Sequence, residues 1–270
     1  MSTKPYKGFE PKWVKEPAPA DSYRSIFRWG DPSFVKYPKE SLYKMMKEKF
    51  KMTDEDFSHY AGDIGMDPVK LDAPCNLAQE HLDAFGEIVG KQNVTTEDYH
   101  RLAVAYGKTG YDAARLRERR IDCLPDAVLY PGTTEEVEKI VAYCTEHKIP
   151  LYVYGGGSSV TRGVEPTKGG ISLDMRRRFN KVLSFNEKNQ TITVQSGISG
   201  PDLEYALNHA PEKFGARRAY TCGHFPQSFE YSSVGGWVVT RGAGQNSTYY
   251  GCITDIVMGQ KYATPIGTIK

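Results

Sequence analysis

The 270-residue chain is 39% apolar and 25% charged, with a net charge of +2. These proportions belong to a folded globular protein of one large or two modest domains with room for a cofactor-sized core. So small a charge excludes a global field that draws in nucleic acid or an anionic membrane. The cysteines Cys75, Cys123, Cys144, Cys222 and Cys252 are far apart and form no CxxC pair, so neither a disulfide framework nor a zinc or iron–sulfur site is expected. No apolar run reaches the ~20 residues of a bilayer span, and residues 1–15 lack a signal-like stretch. A metal-free, cytoplasmic protein with no transmembrane segment is the expectation.

Residues 1–38 are rich in proline, which breaks any long helix, and in aromatics. They are expected to form an extended arm anchored through Trp13, Phe27, Trp29 and Phe34. Residues 39–122 read as a helical region. Leu42, Met45, Met46 and Phe50 recur at helical spacing, as do Leu77, Leu82, Phe85 and Val89. A further helix, capped by Thr95 or Thr96, runs through Leu102 and Tyr106. His59, His81 and His100 stand alone and are read as structural or surface residues, since a metal site needs several convergent ligands. The basic clusters at residues 115–120 and 176–178 are read as solvated faces, with a phosphate or partner surface left open for the second.

The character changes at residue 123. Residues 126–131 form a short apolar strand, and Thr133 and Glu136 have capping-box spacing. Val137, Ile140, Val141 and Cys144 then make a one-sided helix, and residues 149–154 a second strand. This strand–helix–strand unit has the length of a parallel crossover. Residues 171–175 are another strand, and residues 182–185 and 191–195 flank a turn-rich segment as a hairpin. Ser199 caps and Pro201 opens a short helix with Leu203, Ala206 and Leu207 inward. Crossover and hairpin connections together indicate an α+β domain over residues 123–270.

Two segments carry chemistry. Tyr154-Gly155-Gly156-Gly157-Ser158-Ser159-Val160 follows a strand directly. Its glycines allow a sharp turn and close approach of a ligand. Successive free N–H groups there make a concave anion site, and a diphosphate is its natural guest; a plain turn is the other reading. The segment lacks the GK[ST] ending of a P-loop and the third glycine of GxGxxG. Residues 221–251 are too rich in glycine and serine for a packed strand and too aromatic for a linker. Ser232, Ser233 and Thr240 can hydrogen-bond a polar heterocycle there, a surface loop being the alternative.

Taken in order, several blocks resemble the flavoproteins with the vanillyl-alcohol oxidase, or PCMH, type of FAD domain. They are Leu116-Arg117-Glu118, Pro125-Asp126-Ala127-Val128-Leu129-Tyr130-Pro131, the glycine turn, Gly223-His224-Phe225-Pro226-Gln227-Ser228-Phe229-Glu230, Val234-Gly235-Gly236-Trp237, Thr240-Arg241 and Tyr250-Gly251. Within those flavoproteins the chain is most similar to the alkylglycerone-phosphate synthase group and to the bacterial FAD-linked oxidases and D-lactate dehydrogenases. The likeness covers residues 100–270; before them only Trp29-Gly30 supports it.

The resemblance implies an incomplete PCMH-type FAD-binding domain over residues 123–270. It places Pro131 near the adenosine and Val153, Tyr154, Gly155, Gly156, Gly157, Ser158, Ser159 and Val160 at the diphosphate. Gln227, Ser228, Phe229, Glu230, Tyr231, Ser232 and Ser233, with Gly235 and Gly236, follow the flavin and its linker. Thr240, Arg241, Gly242 and Ala243 make a second contact of that kind, and His224 is the histidine nearest the isoalloxazine. The turn offers no His or Cys for attachment, so non-covalent FAD is expected. The implied activity is an FAD-dependent oxidoreductase taking a hydride from a small 2-hydroxy acid such as D-lactate. The alternatives are a synthase-like transferase, in which flavin is a covalent handle for exchanging an acyl for an alkyl chain, and a non-catalytic FAD-holding subunit. In the family a SEGTLG-like block and a substrate-binding cap follow the hairpin turn that Thr264-Pro265-Ile266-Gly267 resembles. The chain is therefore expected to be a fragment or split-gene product, with a second chain carrying those parts and the catalytic Tyr and His residues, or a homodimer.

Overall fold

The computed structural model describes residues 18–27, 37–58 and 64–270; Trp13, Trp29, Phe34 and His59 lie outside them. The chain divides into two units, Met1–Lys70 with Gly110–Arg120, and Leu71–Thr109 with Ile121–Lys270. The first begins with helices α1 (Tyr23–Phe27), α2 (Glu40–Phe50) and α3 (Asp54–Ser58). The second opens with α4 (Gln79–Val89), strand β1 (Val94–Thr95) and α5 (Asp98–Ala103), and the chain then returns to the first unit for α6 (Gly110–Arg117).

In the first unit α2 keeps the expected spacing but buries none of its residues. On α6, Arg115 is fully buried and pairs with Asp112 at 2.7 Å, with its guanidinium over the Tyr111 ring. The solvated-face reading of residues 115–120 therefore fails at Arg115. The helix turns that position inward, and a charge so placed needs its carboxylate three residues back on the same face. Arg119 stacks on Tyr23 at 3.4 Å and bonds Asp67.

In the second unit β2 (Ala127–Leu129), α7 (Thr134–Glu146) and β3 (Leu151–Tyr154) form the expected crossover, and β4 (Ile171–Asp174) inserts between its strands. The sheet order is β1-β2-β4-β3, with β2 and β3 parallel to β4 and β1 antiparallel to β2. Pairing with β2 takes Thr95, one of the two residues read as a helix cap, and neither it nor Thr96 stands at the N-cap position of α5, which is Glu97. Helix α5 starts only at Asp98, and the Thr95 hydroxyl accepts the Glu97 N–H at 3.2 Å. At α7 the Thr133 hydroxyl accepts the Glu136 N–H at 3.1 Å, while the Glu136 carboxylate accepts the Gly132 N–H at 2.7 Å. The capping box is thus shifted by one residue on its return arm.

Alternation along the strands sorts the sheet into two faces. Ala127, Leu129, Leu151, Ile171 and Leu173 pack on Phe85 and Val89 of α4 and on Ile140 and Cys144 of α7. Val128, Tyr130 and Tyr154 turn to the other face, against Val104 and Val164.

The hairpin of β5 (Val182–Asn186) and β6 (Thr191–Val194) is as read, and α8 (Gly200–Asn208) and α9 (Ala210–Phe214) follow. The Ser199 hydroxyl accepts the Asp202 N–H at 3.2 Å, and Leu203, Ala206 and Leu207 are buried. With α8, α10 (Val234–Val239) and α12 (Ile253–Ile256) the hairpin encloses a second core of Ile198, Leu203, Leu207, Trp237 and Ile253, and α11 (Ser247–Tyr250), with no buried residue, lies outside it. The hairpin of β7 (Tyr262–Thr264) and β8 (Gly267–Ile269) turns at Pro265-Ile266, as the Thr264-Pro265-Ile266-Gly267 pattern indicated. Among the described residues no helix is long and apolar enough to cross a membrane.

Ile140 on α7 has no solvent exposure and lies in the sheet core. Ile140→Ala is expected to lower stability by about 3 kcal/mol in urea titrations. Leu183→Ala, at an exposed position of β5, is expected to change it by less than about 0.5 kcal/mol.

Candidate functional site

In open sheets of parallel strands, ligands sit beyond the carboxyl ends of the strands. Here those ends carry Tyr130 and Pro131 after β2, Tyr154 closing β3, and Asp174 closing β4. The glycine turn leaves the sheet at this edge. A Cβ on Gly155 would collide with the Ser233 hydroxyl, and one on Gly156 with the Tyr231 carbonyl and the Ser232 backbone. Gly157, at φ +66°, lies over the Tyr154 hydroxyl. The two segments picked out from the sequence therefore meet backbone to backbone, and only glycine permits it.

The second segment is more ordered than the sequence indicated. Residues 227–231 form turns, with the N–H groups of Tyr231 and Ser232 donating to the Ser228 carbonyl. Ser233 then caps α10, its hydroxyl accepting the Gly236 N–H at 3.3 Å. Two glycines and four further residues of modest helix propensity hid this helix; the signal was the serine ahead of an apolar run. The Ser232 hydroxyl donates to the Ser228 carbonyl at 2.7 Å and accepts the Trp237 indole N–H at 2.6 Å. Ser233 also bridges to Ser199, and the N–H groups of Val234 and Gly235 donate to the carbonyls of Ile198 and Ser196.

These contacts join Gly155 and Gly156 with Tyr231, Ser232 and Ser233, while Gly157 packs on Tyr154 within the turn. Gly235 and Gly236 form the first turn of α10, and Phe229 packs into the second core beside Trp237. The same contacts do not join Pro131, Val160, Gln227, Glu230, Thr240, Arg241, Gly242 or Ala243 to the turn. Thr240 donates its hydroxyl to the Gly236 carbonyl at 2.8 Å as a helix end. Pro131 is buried, and beside it Gly132 lies against the Arg178 guanidinium.

Sequence reasoning left out the polar groups at the strand ends. Arg176 forms two bonds to the Asp174 carboxylate, at 2.6 and 3.0 Å, and its guanidinium lies 4.8 Å from the Tyr154 ring centre. Arg178 donates to the Tyr130 carbonyl at 2.7 Å and faces Glu136 at 3.3 Å. Arg177 stacks on Tyr130, whose hydroxyl meets His100 at 3.0 Å. Residues 176–178 are thus staples across the strand ends rather than a purely solvated face. Burial pushes the phenols of Tyr130 and Tyr154 upward, so both stay neutral donors at physiological pH.

A groove of about 300 Å3 lies at the opposite, amino end of β2 and β4, lined among others by Arg101, Asp122, Cys123 and Asp126. Arg101 donates to the carbonyls of Pro125 and Ala73, and Asp126 accepts the N–H groups of Asn76 and Gly170. Those charged groups tie loops together there.

A family model described as an FAD binding domain matches residues 125–270, more than half of the chain. The chain belongs to this FAD-binding family. It is 30% identical over 263 residues to an alkyldihydroxyacetonephosphate synthase of Trypanosoma brucei brucei, covering 90% of this chain and 41% of the relative. A glycolate oxidase subunit of Bacillus subtilis is 27% identical over 188 residues, covering 68% of this chain and 35% of the relative. A solved alkyldihydroxyacetonephosphate synthase superimposes with a TM-score of 0.68 at 31% identity over 73% of this chain and 39% of its own. Berberine bridge enzyme, at 18% identity and a TM-score of 0.51 over 68% of this chain and 34% of its own, shares the fold. The chain thus spans about two-fifths of the length of its synthase relatives. These matches establish the PCMH-type fold, the FAD cofactor and membership of an enzyme family.

The residues present fit FAD. At the sheet edge where a diphosphate is expected, two glycines bring the turn into close contact with residues 231–233. Nearby, His224 is fully buried, and neither ring nitrogen has a partner among the described residues.

Gly156→Ala is expected to wedge the two segments apart and weaken FAD binding at least about tenfold, read by flavin fluorescence quenching. Burial holds the His224 imidazole below its ordinary value, so in the pH range just below about 6.5 the unfolded chain binds a proton that the folded chain refuses. Stability therefore falls as pH drops through that range. In His224→Phe this component should vanish, giving a flatter difference curve against wild type in chemical denaturation between pH 7 and 5.

Proposed function

We propose that this chain holds FAD non-covalently by its diphosphate, at the glycine turn where it packs on the segment Tyr231-Ser232-Ser233, as the cofactor-binding part of a synthase-type flavoenzyme. The meeting of these two segments at Gly155 and Gly156 carries the reading. Backbone N–H groups of the turn and the hydroxyls of Ser158 and Ser159 receive the phosphates, and Pro131 sits at the adenosine end. Residues 227–236 and 240–243 follow the linker and the ring. The N-terminal arm, the helical region of residues 39–122 and the FAD domain of residues 123–270 remain the domain division we propose.

Bound there, FAD supplies either a two-electron acceptor or a covalent handle for group exchange. The chain's own residues bind, orient and exclude water. The synthase reading is put first because the match to those relatives extends over 90% of the chain, whereas the hydroxy-acid oxidase match covers 68%. Oxidation of a 2-hydroxy acid such as D-lactate is the second reading, favoured by the likeness to that glycolate oxidase subunit and to a yeast mitochondrial D-lactate dehydrogenase. A second chain adding substrate contacts, or a homodimer, and a cytoplasmic location complete the reading.

Recognition through a diphosphate predicts that FAD quenches on binding and that ADP competes with it, while FMN binds at least about tenfold more weakly. Equal binding of FMN and FAD, or no binding of either, would sink the reading. For the reaction class, anaerobic bleaching of the bound flavin by D-lactate or glycolate supports oxidation. Exchange of the acyl chain of acyl dihydroxyacetone phosphate for an added long-chain alcohol, with the fatty acid released, supports the synthase.

A further inference from the structure

Three consecutive arginines follow β4, and the fold employs them differently. Arg176 closes on the Asp174 carboxylate at 2.6 and 3.0 Å, and Arg178 donates to the Tyr130 carbonyl and faces Glu136. Arg177 pairs with no carboxylate among the described residues. It is exposed, and its guanidinium carbon lies over the Tyr130 ring, 4.7 Å from the ring centre. A surface cation with no ion pair ordinarily extends into water, whereas this one is laid against an aromatic ring at the carboxyl edge of the sheet.

The ring beneath it is fixed in place. Tyr130 is only 4% exposed, its hydroxyl meets His100 Nδ1 at 3.0 Å, and its carbonyl accepts Arg178 at 2.7 Å. Leu129 pairs with Leu173 and Tyr154 with Asp174, so Tyr130, Asp174 and Tyr154 stand level across the ends of β2, β4 and β3. Two strand spacings, roughly 10 Å, separate Tyr130 from Tyr154 at the start of the glycine turn. A ligand whose diphosphate sits at that turn can cover the gap with a ribose and a base. With the flavin along residues 227–243, the ADP half crosses the strand ends towards β2. There it reaches the outer, exposed side of Arg177. A guanidinium is a planar cation that stacks on π systems, and such planes are a recurrent seat for nucleobases.

We propose that Arg177 is a cofactor-binding residue, its guanidinium layered between the Tyr130 ring and the adenine of FAD. This rests on the diphosphate being held at the glycine turn, and the experiment separates the two ideas. The 270-residue chain and its variants Arg177→Ala and Arg177→Lys are titrated with FAD, ADP and FMN, and melting without ligand is recorded alongside. FAD and ADP carry adenine, and FMN does not. Arg177→Ala should bind FAD and ADP about tenfold more weakly, the worth of one cation–π stack, with FMN binding unchanged. The side chain is exposed and in no ion pair, so the melting point should stay at the wild-type value. Lysine keeps the charge and loses the plane, so Arg177→Lys should remain well below wild type for FAD and ADP.

Wild-type affinity for FAD and ADP in Arg177→Ala would overturn the proposal. So would an equal loss for FMN, or full recovery in Arg177→Lys, since either marks a general effect of charge. A lowered melting point with parallel losses of all three ligands marks a structural role and overturns it too. Failure of wild type to bind either FAD or ADP would instead remove the diphosphate reading, and the proposal with it.

Discussion

The backbone approach between Gly155-Gly156 and Tyr231-Ser232-Ser233 is the constraint on which the rest of the second unit depends. It leaves no room for a side chain on the turn, so the geometry of both segments must be set from behind. On one side β3 places the turn by its pairing with β4. On the other, Ser233 is held by its bridge to Ser199 and by the bonds from Val234 and Gly235 to the segment after β6. Gln195 ties these supports together. Its N–H bonds the Lys181 carbonyl, its side-chain oxygen accepts the Lys181 N–H, and its amide donates to the Gly132 carbonyl at the end of β2. A contact between two loops is thereby anchored to both cores, as binding groups on rigid elements need to be.

The polar groups around this edge follow the same logic. Arg176 and Arg178 are held by Asp174, Glu136 and the Tyr130 carbonyl, so their charges are compensated within the protein. An anion received at this edge, as proposed, would be met by backbone N–H groups, which carry partial charges at fixed positions and need no counter-ion of their own. His224 fits this division. It packs on Trp237 of the helix that Ser233 caps, held uncharged by burial, while the neighbouring Ser232 hydroxyl is hydrogen-bonded on both sides.

Much of this architecture was legible in the chain. Capping at Thr133 and Ser199, the β5–β6 hairpin and the crossover all depend on residues within one turn or one strand of each other, and local spacing carries that information. The helix at Val234–Val239 was not legible, because its stability comes from burying Trp237 against the second core rather than from propensity. The start of α5 was misplaced for a similar reason: Thr95 is claimed by β2, more than thirty residues onward. Arg115 looked like one of a row of exposed cations, and only the packing of α6 shows it to be buried. For the site, the glycine turn was recognisable as a motif, and its partner segment only as an unusual composition. That they touch is a long-range fact, carried here by resemblance rather than by spacing.

The insertion of β4 between β2 and β3 bears on how the chain assembles. While the polypeptide emerges from the ribosome, β2, α7 and β3 are complete before β4 exists, and the slot between the two strands has no occupant. Both strands then present an open hydrogen-bonding edge, and Leu129 and Leu151 lack the neighbours, Leu173 and Ile171, that later cover them. Such an edge is the template for mispairing between nascent chains. Closure waits for residues 155–170, the loop that contains the glycine turn, to swing β4 back into the gap. The loop that carries the glycine turn is therefore also the connection on which closure of the sheet depends.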